Sequence, residues 1–238
     1  MAESTTQVTV GSILGRSLGV TVKNFLPFLA IAIVFNIPAL LVEWFVVPGL
    51  SENVGKIVSR ISTTVFGGLV TAGILYGVFQ SLRGGKVEFG KCLNVALSRL
   101  VPVVLISFVY GLAVGLGIIL FVIPGIIIAC MWYVAIPATV VEKVGVGEAL
   151  SRSAALTKGH RLTLFLVFLV IFGLMFALGI LLLFPLAASG STILFALITF
   201  GLGVTIGLWG SAAQGVAYHD LRAAKEGIWD DDLAEVFS

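Results

Sequence analysis

The residues able to do acid–base, nucleophilic or metal chemistry are few, and their spacing assembles none of the usual sites. The chain has two histidines, His160 and His219, and two cysteines, Cys92 and Cys130. Zinc asks for three or four ligands at recognisable spacing, and neither HExxH nor CxxC occurs. A nucleophile–base–acid set needs a base within reach of a serine and a third group to orient it. Ser153 with His160 comes nearest, yet nothing in the sequence pins the two together. No G-x-S-x-G elbow or phosphate-binding glycine loop is present. The expectation is no catalytic residue, no metal and no cofactor.

Charge offers more. Arg16, Arg152, Lys158, His160 and Arg161 fall beside apolar runs, and a cation next to an anionic bilayer surface contributes about 1 kcal/mol of attraction. They form a candidate rim for lipid headgroups; the plainer reading is that they only fix topology. Glu43 and Arg60 sit near the facing ends of two apolar runs and form a candidate ion pair at an outer mouth. The plainer reading there is two groups snorkelling to water. Asn36 with Pro38 interrupts the first run, either lining a polar cavity or bonding a neighbouring helix. Nucleic acid is excluded as a partner, because the net charge is only +2 and acidic residues intersperse the basic ones.

The elements that carry these residues follow from composition. The 238 residues are 59% hydrophobic and 11% charged, against about 25% charged in a soluble domain. Mean hydropathy is +1.15. A chain this short cannot hide so much apolar surface from water. Runs long enough for a helix to cross a bilayer, about 20 residues, occur at Phe25–Val47, Ile61–Leu82, Leu100–Ile123, Gly125–Val141, Leu162–Phe184 and Ser191–Ala217. The fold class expected is all-α, a polytopic transmembrane bundle of about six spans in a single domain over residues 1–238. With both termini inside, all but Lys56 and Arg60 of the 14 lysines and arginines fall on the cytoplasmic side. The two cysteines lie at different depths and are not expected to pair.

The chain also resembles itself. VGSILGRSLGVT from Val10 and VGEALSRSAALT from Val146 share G-x-x-L-x-R-S, and FGKCLNVALSRL from Phe89 keeps Gly90 and Leu93. Phe89, Cys92, Leu93, Ala96, Leu97 and Leu100 mark one face of a helix. Outer turns carry Pro48-Gly49, Pro124-Gly125 and Pro185. Three units result, about 8–85, 86–143 and 144–225, each a cytoplasmic interfacial helix followed by a transmembrane hairpin. Gly203, Gly207, Ser211 and Gly215 recur every four residues as a helix-packing stripe, for the bundle itself or for self-association. Residues 226–238, with Trp229 and Asp230 to Asp232, form an acidic cytoplasmic tail that is either solvated or docked on the basic rim.

GSILGRSLGVTVKNFLPFL, the hairpin LFVIPGIIIACMWYVAIPATVVEKVGVGEALSRSAALTKGHR and the end AYHDLRAAKEG resemble the YciC-type bacterial inner-membrane proteins. They are similar also to the membrane domain that precedes the catalytic domain of some glycerophosphodiester phosphodiesterases. The resemblance runs from about Val8 to Phe237 and implies a bacterial cytoplasmic membrane. It supplies no catalytic residues, and the chain has no room for a phosphodiesterase domain. The leading functional expectation is a non-enzymatic membrane protein of lipid or envelope organisation that binds phospholipid at its basic rim. A transporter or flippase of an amphiphilic solute is the alternative. An anchor for a membrane-protein partner, or a homo-oligomer, is the third.

Overall fold

The computed structural model describes residues 8–188 and 191–227, so the acidic segment 228–238 lies outside the described residues. Among the described residues every regular element is helical. Six helices are long and apolar enough to cross a membrane. Their outer faces are apolar: Ile119 is 81% exposed, Phe45 78% and Phe121 73%. Side chains of that kind need hydrocarbon around them. The architecture is that of a multi-pass membrane protein.

Three short amphipathic helices, α1 (Val10–Lys23), α4 (Phe89–Ser98) and α8 (Val146–Thr157), each precede a hairpin of spans. The hairpins are α2 (Phe25–Leu41) with α3 (Glu52–Leu82), α5 (Leu100–Leu120) with α6 (Val122–Met131) and α7 (Ala135–Val141), and α9 (Arg161–Ala188) with α10 (Thr192–Glu226). Equivalent positions of the short helices are fully buried: Ile13, Cys92 and Ala149, then Ser17, Ala96 and Ser153. What they are buried against runs in a ring. α4 lies on the α2–α3 hairpin, α8 on the α5–α7 hairpin, and α1 on α9 and α10. Each amphipathic helix thus seats on the hairpin that precedes it, and the first closes the circle on the last.

Several spans differ from their expected limits. α3 has 31 residues, about 46 Å at 1.5 Å per residue, and starts well before Ile61. Hydropathy marks the apolar part only, whereas the helix continues through a polar turn in which Lys56 pairs with Glu52 at 2.5 Å. The first span is not broken at Asn36 and Pro38. Asn36 Nδ2 donates to the Ala32 carbonyl at 2.7 Å, and the helix loosens only beyond Pro38, into a wider π-type turn at Val42–Val46. Pro124 and Gly125 stand in the first turn of α6, not in the loop, where proline's missing N–H costs nothing. Pro185 likewise falls within α9.

The fourth span is interrupted between Met131 and Ala135. Such a break frees a carbonyl inside the bundle, which must find a donor. Ser153 Oγ and Thr157 Oγ1 both donate to the Met131 carbonyl, at 2.9 and 3.0 Å. The α8 hydroxyls therefore hold the broken span together.

Candidate functional site

The charged residues gather at the end of the bundle that carries α1, α4 and α8. The Arg16 guanidinium donates to Asp220 Oδ1, and the Asp220 side chain is fully buried. His219 Nδ1 lies 3.2 Å from the same oxygen. Arg152 Nε donates to both oxygens of Glu142 at 2.9 Å, and its Nη2 pairs with Glu226 Oε1. Tyr218 Oη donates to Glu142 at 2.6 Å, and Arg222 Nε to Glu226 Oε2 at 3.1 Å. Burial works against the charge on Arg152, but the hydrogen bonds and charges of Glu142 and Glu226 outweigh it and raise its pKa.

The two arginines of the shared Arg-Ser motif are thus turned inward onto carboxylates. The paired serines are turned inward too: Ser17 Oγ accepts from Trp209 Nε1 at 3.0 Å, as Ser153 Oγ donates to Met131. Arg16 and Arg152, both expected at the lipid-headgroup rim, each have a carboxylate partner here while their side chains stay 36% and 30% exposed. Asp220 and Glu226 sit on the last span, far away in sequence and beyond the reach of a charge count, whereas Glu142 is only 10 residues from Arg152. The Ser153 hydroxyl donates to the Met131 carbonyl, not to His160.

Lys158, His160 and Arg161 behave differently. They occupy the tight corner between α8 and α9, where Gly159 takes φ +91°, a backbone region that suits glycine. Lys158 is exposed and Arg161 half-buried, with its Nε buried and lacking a hydrogen-bond partner. Lys225 joins them: it donates to the Ala155 carbonyl, and Lys158 and Arg161 are the cations that act on it. Lys158, Arg161 and Lys225 make no ion pair with a carboxylate among the described residues. No protein-family model, characterised protein or solved structure matches the chain.

At the other end of the bundle Glu43 and Arg60 share the wall of a hollow of about 540 Å³ without pairing. Both are exposed. The small-residue stripe divides in two. Ser211 reaches Thr71 at 3.2 Å, and a Cβ at Gly215 would stand 3.0 Å from Val78 Cγ1. At Gly203 and Gly207 a Cβ would meet nothing within 4 Å. Only half of the stripe packs the bundle. Among the described residues no three of His, Cys, Asp and Glu stand close enough together to hold a metal ion.

Sequence reasoning passed over Glu142, Tyr218, Asp220 and Glu226 as site residues. Asp220 left a signal: a carboxylate about one turn beyond the last apolar run, which ends at Ala217, is costly at the membrane edge unless paired.

Proposed function

We propose that this is a non-enzymatic protein of the bacterial inner membrane, YciC-type in family, that binds anionic phospholipid headgroups at its cytoplasmic face. In this reading both termini are cytoplasmic and the three units are internal repeats. The observation that carries it is the corner of Lys158, Arg161 and Lys225. Arg16, Arg152 and Arg222 at that end have carboxylate partners, while Lys158, Arg161 and Lys225 cluster together with none among the described residues, and one guanidinium nitrogen of Arg161 is buried without an acceptor. A phosphate diester supplies both the charge and the acceptor oxygens. Binding lipid at the corner joining α8 to α9 fits a role in organising the membrane around the protein.

Native mass spectrometry from nanodiscs containing phosphatidylglycerol tests the reading. The wild type should retain the lipid, and the Lys158→Gln/Arg161→Gln/Lys225→Gln variant should lose it while keeping its melting temperature. Undiminished retention in that variant would sink the proposal.

A further inference from the structure

Two hollows open among the spans. The first, of about 690 Å³, lies among α2, α3, α5 and α10. The second, of about 390 Å³, lies among α5, α6, α9 and α10. Both are in the range of small-ligand sites, about 300–1,000 Å³. They share Tyr110, Gly210 and Gln214 as a common wall. At Gly210 that wall has no side chain, and nothing stands within 4 Å of where a Cβ would be.

The linings differ in kind. Asn36, Thr63, Thr64, Thr71, Ser107 and Ser211 bring hydroxyls and an amide to the first. Val114, Ile118, Ile126, Phe165 and Phe168 make most of the second apolar. No aspartate, glutamate, lysine, arginine or histidine lines either one. Ser107 is 6% exposed, and its Oγ has no hydrogen-bond partner. Gln214 Oε1 is also buried without a partner. In a bundle surrounded by hydrocarbon, unpaired polar atoms of this kind are costly. One N–H of the Asn36 amide is spent on Ala32, which leaves the other N–H and the carbonyl oxygen. The side chains thus ask for a head that can both donate and accept hydrogen bonds, without offering a cation. That suits a hydroxyl-bearing head and disfavours a phosphate. A helix of a second copy seated on Gly203 and Gly207 would bring apolar side chains to these atoms and leave them unpaired.

We propose that the two hollows form one site for a neutral, single-chain amphiphile. Its hydroxylated head lies against Ser107, Asn36 and Gln214, and its hydrocarbon chain passes Gly210 into the apolar hollow. The site is separate from the anionic-lipid corner and does not depend on it.

The test uses the full-length protein in nanodiscs of phosphatidylethanolamine and phosphatidylglycerol, with a monoacylglycerol carrying a diazirine in its acyl chain. Labelling should saturate, map to α6 and α9 peptides around Ile126 and Phe165, and be competed by unlabelled monoacylglycerol but not by added phosphatidylglycerol. Gly210→Leu, which plugs the shared wall, and Gln214→Leu, which removes the head's acceptor, should each weaken binding about tenfold or more. Gly207→Leu also projects into open space and blocks the first hollow should Gly210→Leu prove unstable. Arg161→Gln should leave labelling unchanged while reducing retained phosphatidylglycerol. The proposal is overturned by non-saturable labelling spread over the lipid-facing spans, by competition from phosphatidylglycerol, by undiminished labelling in the blocked variants, or by labelling that falls only as the protein dimerises.

Discussion

Arg16 and Asp220 meet across 204 residues of sequence, a guanidinium on the first amphipathic helix against a fully buried carboxylate on the last span. Asp220 Oδ2 has no hydrogen-bond partner, so the pair depends on one oxygen. Removing one member of a buried pair leaves an uncompensated charge, whereas removing both leaves none. Arg16→Leu should destabilise by about 3 kcal/mol, and Arg16→Leu/Asp220→Leu should recover part of that loss. Thermal unfolding in detergent measures both. A double variant less stable than the single one would contradict the pairing.

The two serines of the Arg-Ser motif should respond differently. Ser17→Ala leaves Trp209 Nε1 without its acceptor, at a cost of about 1–3 kcal/mol, and should shift the tryptophan emission. Ser153→Ala should cost about 1 kcal/mol or less, because Thr157 Oγ1 still serves the Met131 carbonyl. The Ser153→Ala/Thr157→Val pair should then exceed the sum of its single changes.

Glycines of the spans should differ by what a methyl would meet. A Cβ at Gly125 would lie 2.7 Å from Ile118 N and 3.0 Å from Gly117 C, both backbone atoms. Gly125→Ala must spread α5 from α6 and should cost about 1–3 kcal/mol. Gly207→Ala meets open space and should stay within about 0.5 kcal/mol of wild type. Melting temperatures of the two variants decide the point.

Cys92 is fully buried in α4, and burial pushes its thiol up to about 12. An unfolded cysteine titrates near about 8.5. The folded state therefore holds this proton more tightly, and the stability it contributes is complete below about 8.5 and lost as pH climbs toward 12. Maleimide labelling of Cys92 at neutral pH should be roughly a thousandfold slower in the folded protein than in the denatured one. Cys92→Ala, which matches Ala149 in the third unit, should flatten the alkaline fall in stability. Rapid labelling of the folded protein would contradict the burial.

Much of the fold was legible because lipid imposes simple demands. Long apolar runs become helices, since no other element satisfies its own backbone there. The face marked by Cys92 and Ala96 identified α4, and the matching positions of α1 and α8 are buried in the same way. Span limits were less legible: α3 runs past Ile61 because helix continuity does not require apolar residues, only hydrogen bonds. The break at Met131–Ala135 was invisible because its compensation, the hydroxyls of Ser153 and Thr157, lies in another helix. The charged site was legible only as an inventory. Arg16 and Arg161 look alike in sequence, yet one faces a buried aspartate and the other has no carboxylate partner among the described residues. That distinction is made by the ring packing, which brings α10 against α1.

The ring also orders the protein's own making. Ribosomal synthesis delivers α1 first, but its seat on α9 and α10, with Trp209 and Asp220, is delivered last. α4 and α8 find their hairpins already inserted when they emerge, and each can dock at once. The first helix has to wait, an unattached amphipathic segment, until the final span is in place. Its docking is the step that turns an open string of hairpins into a closed body.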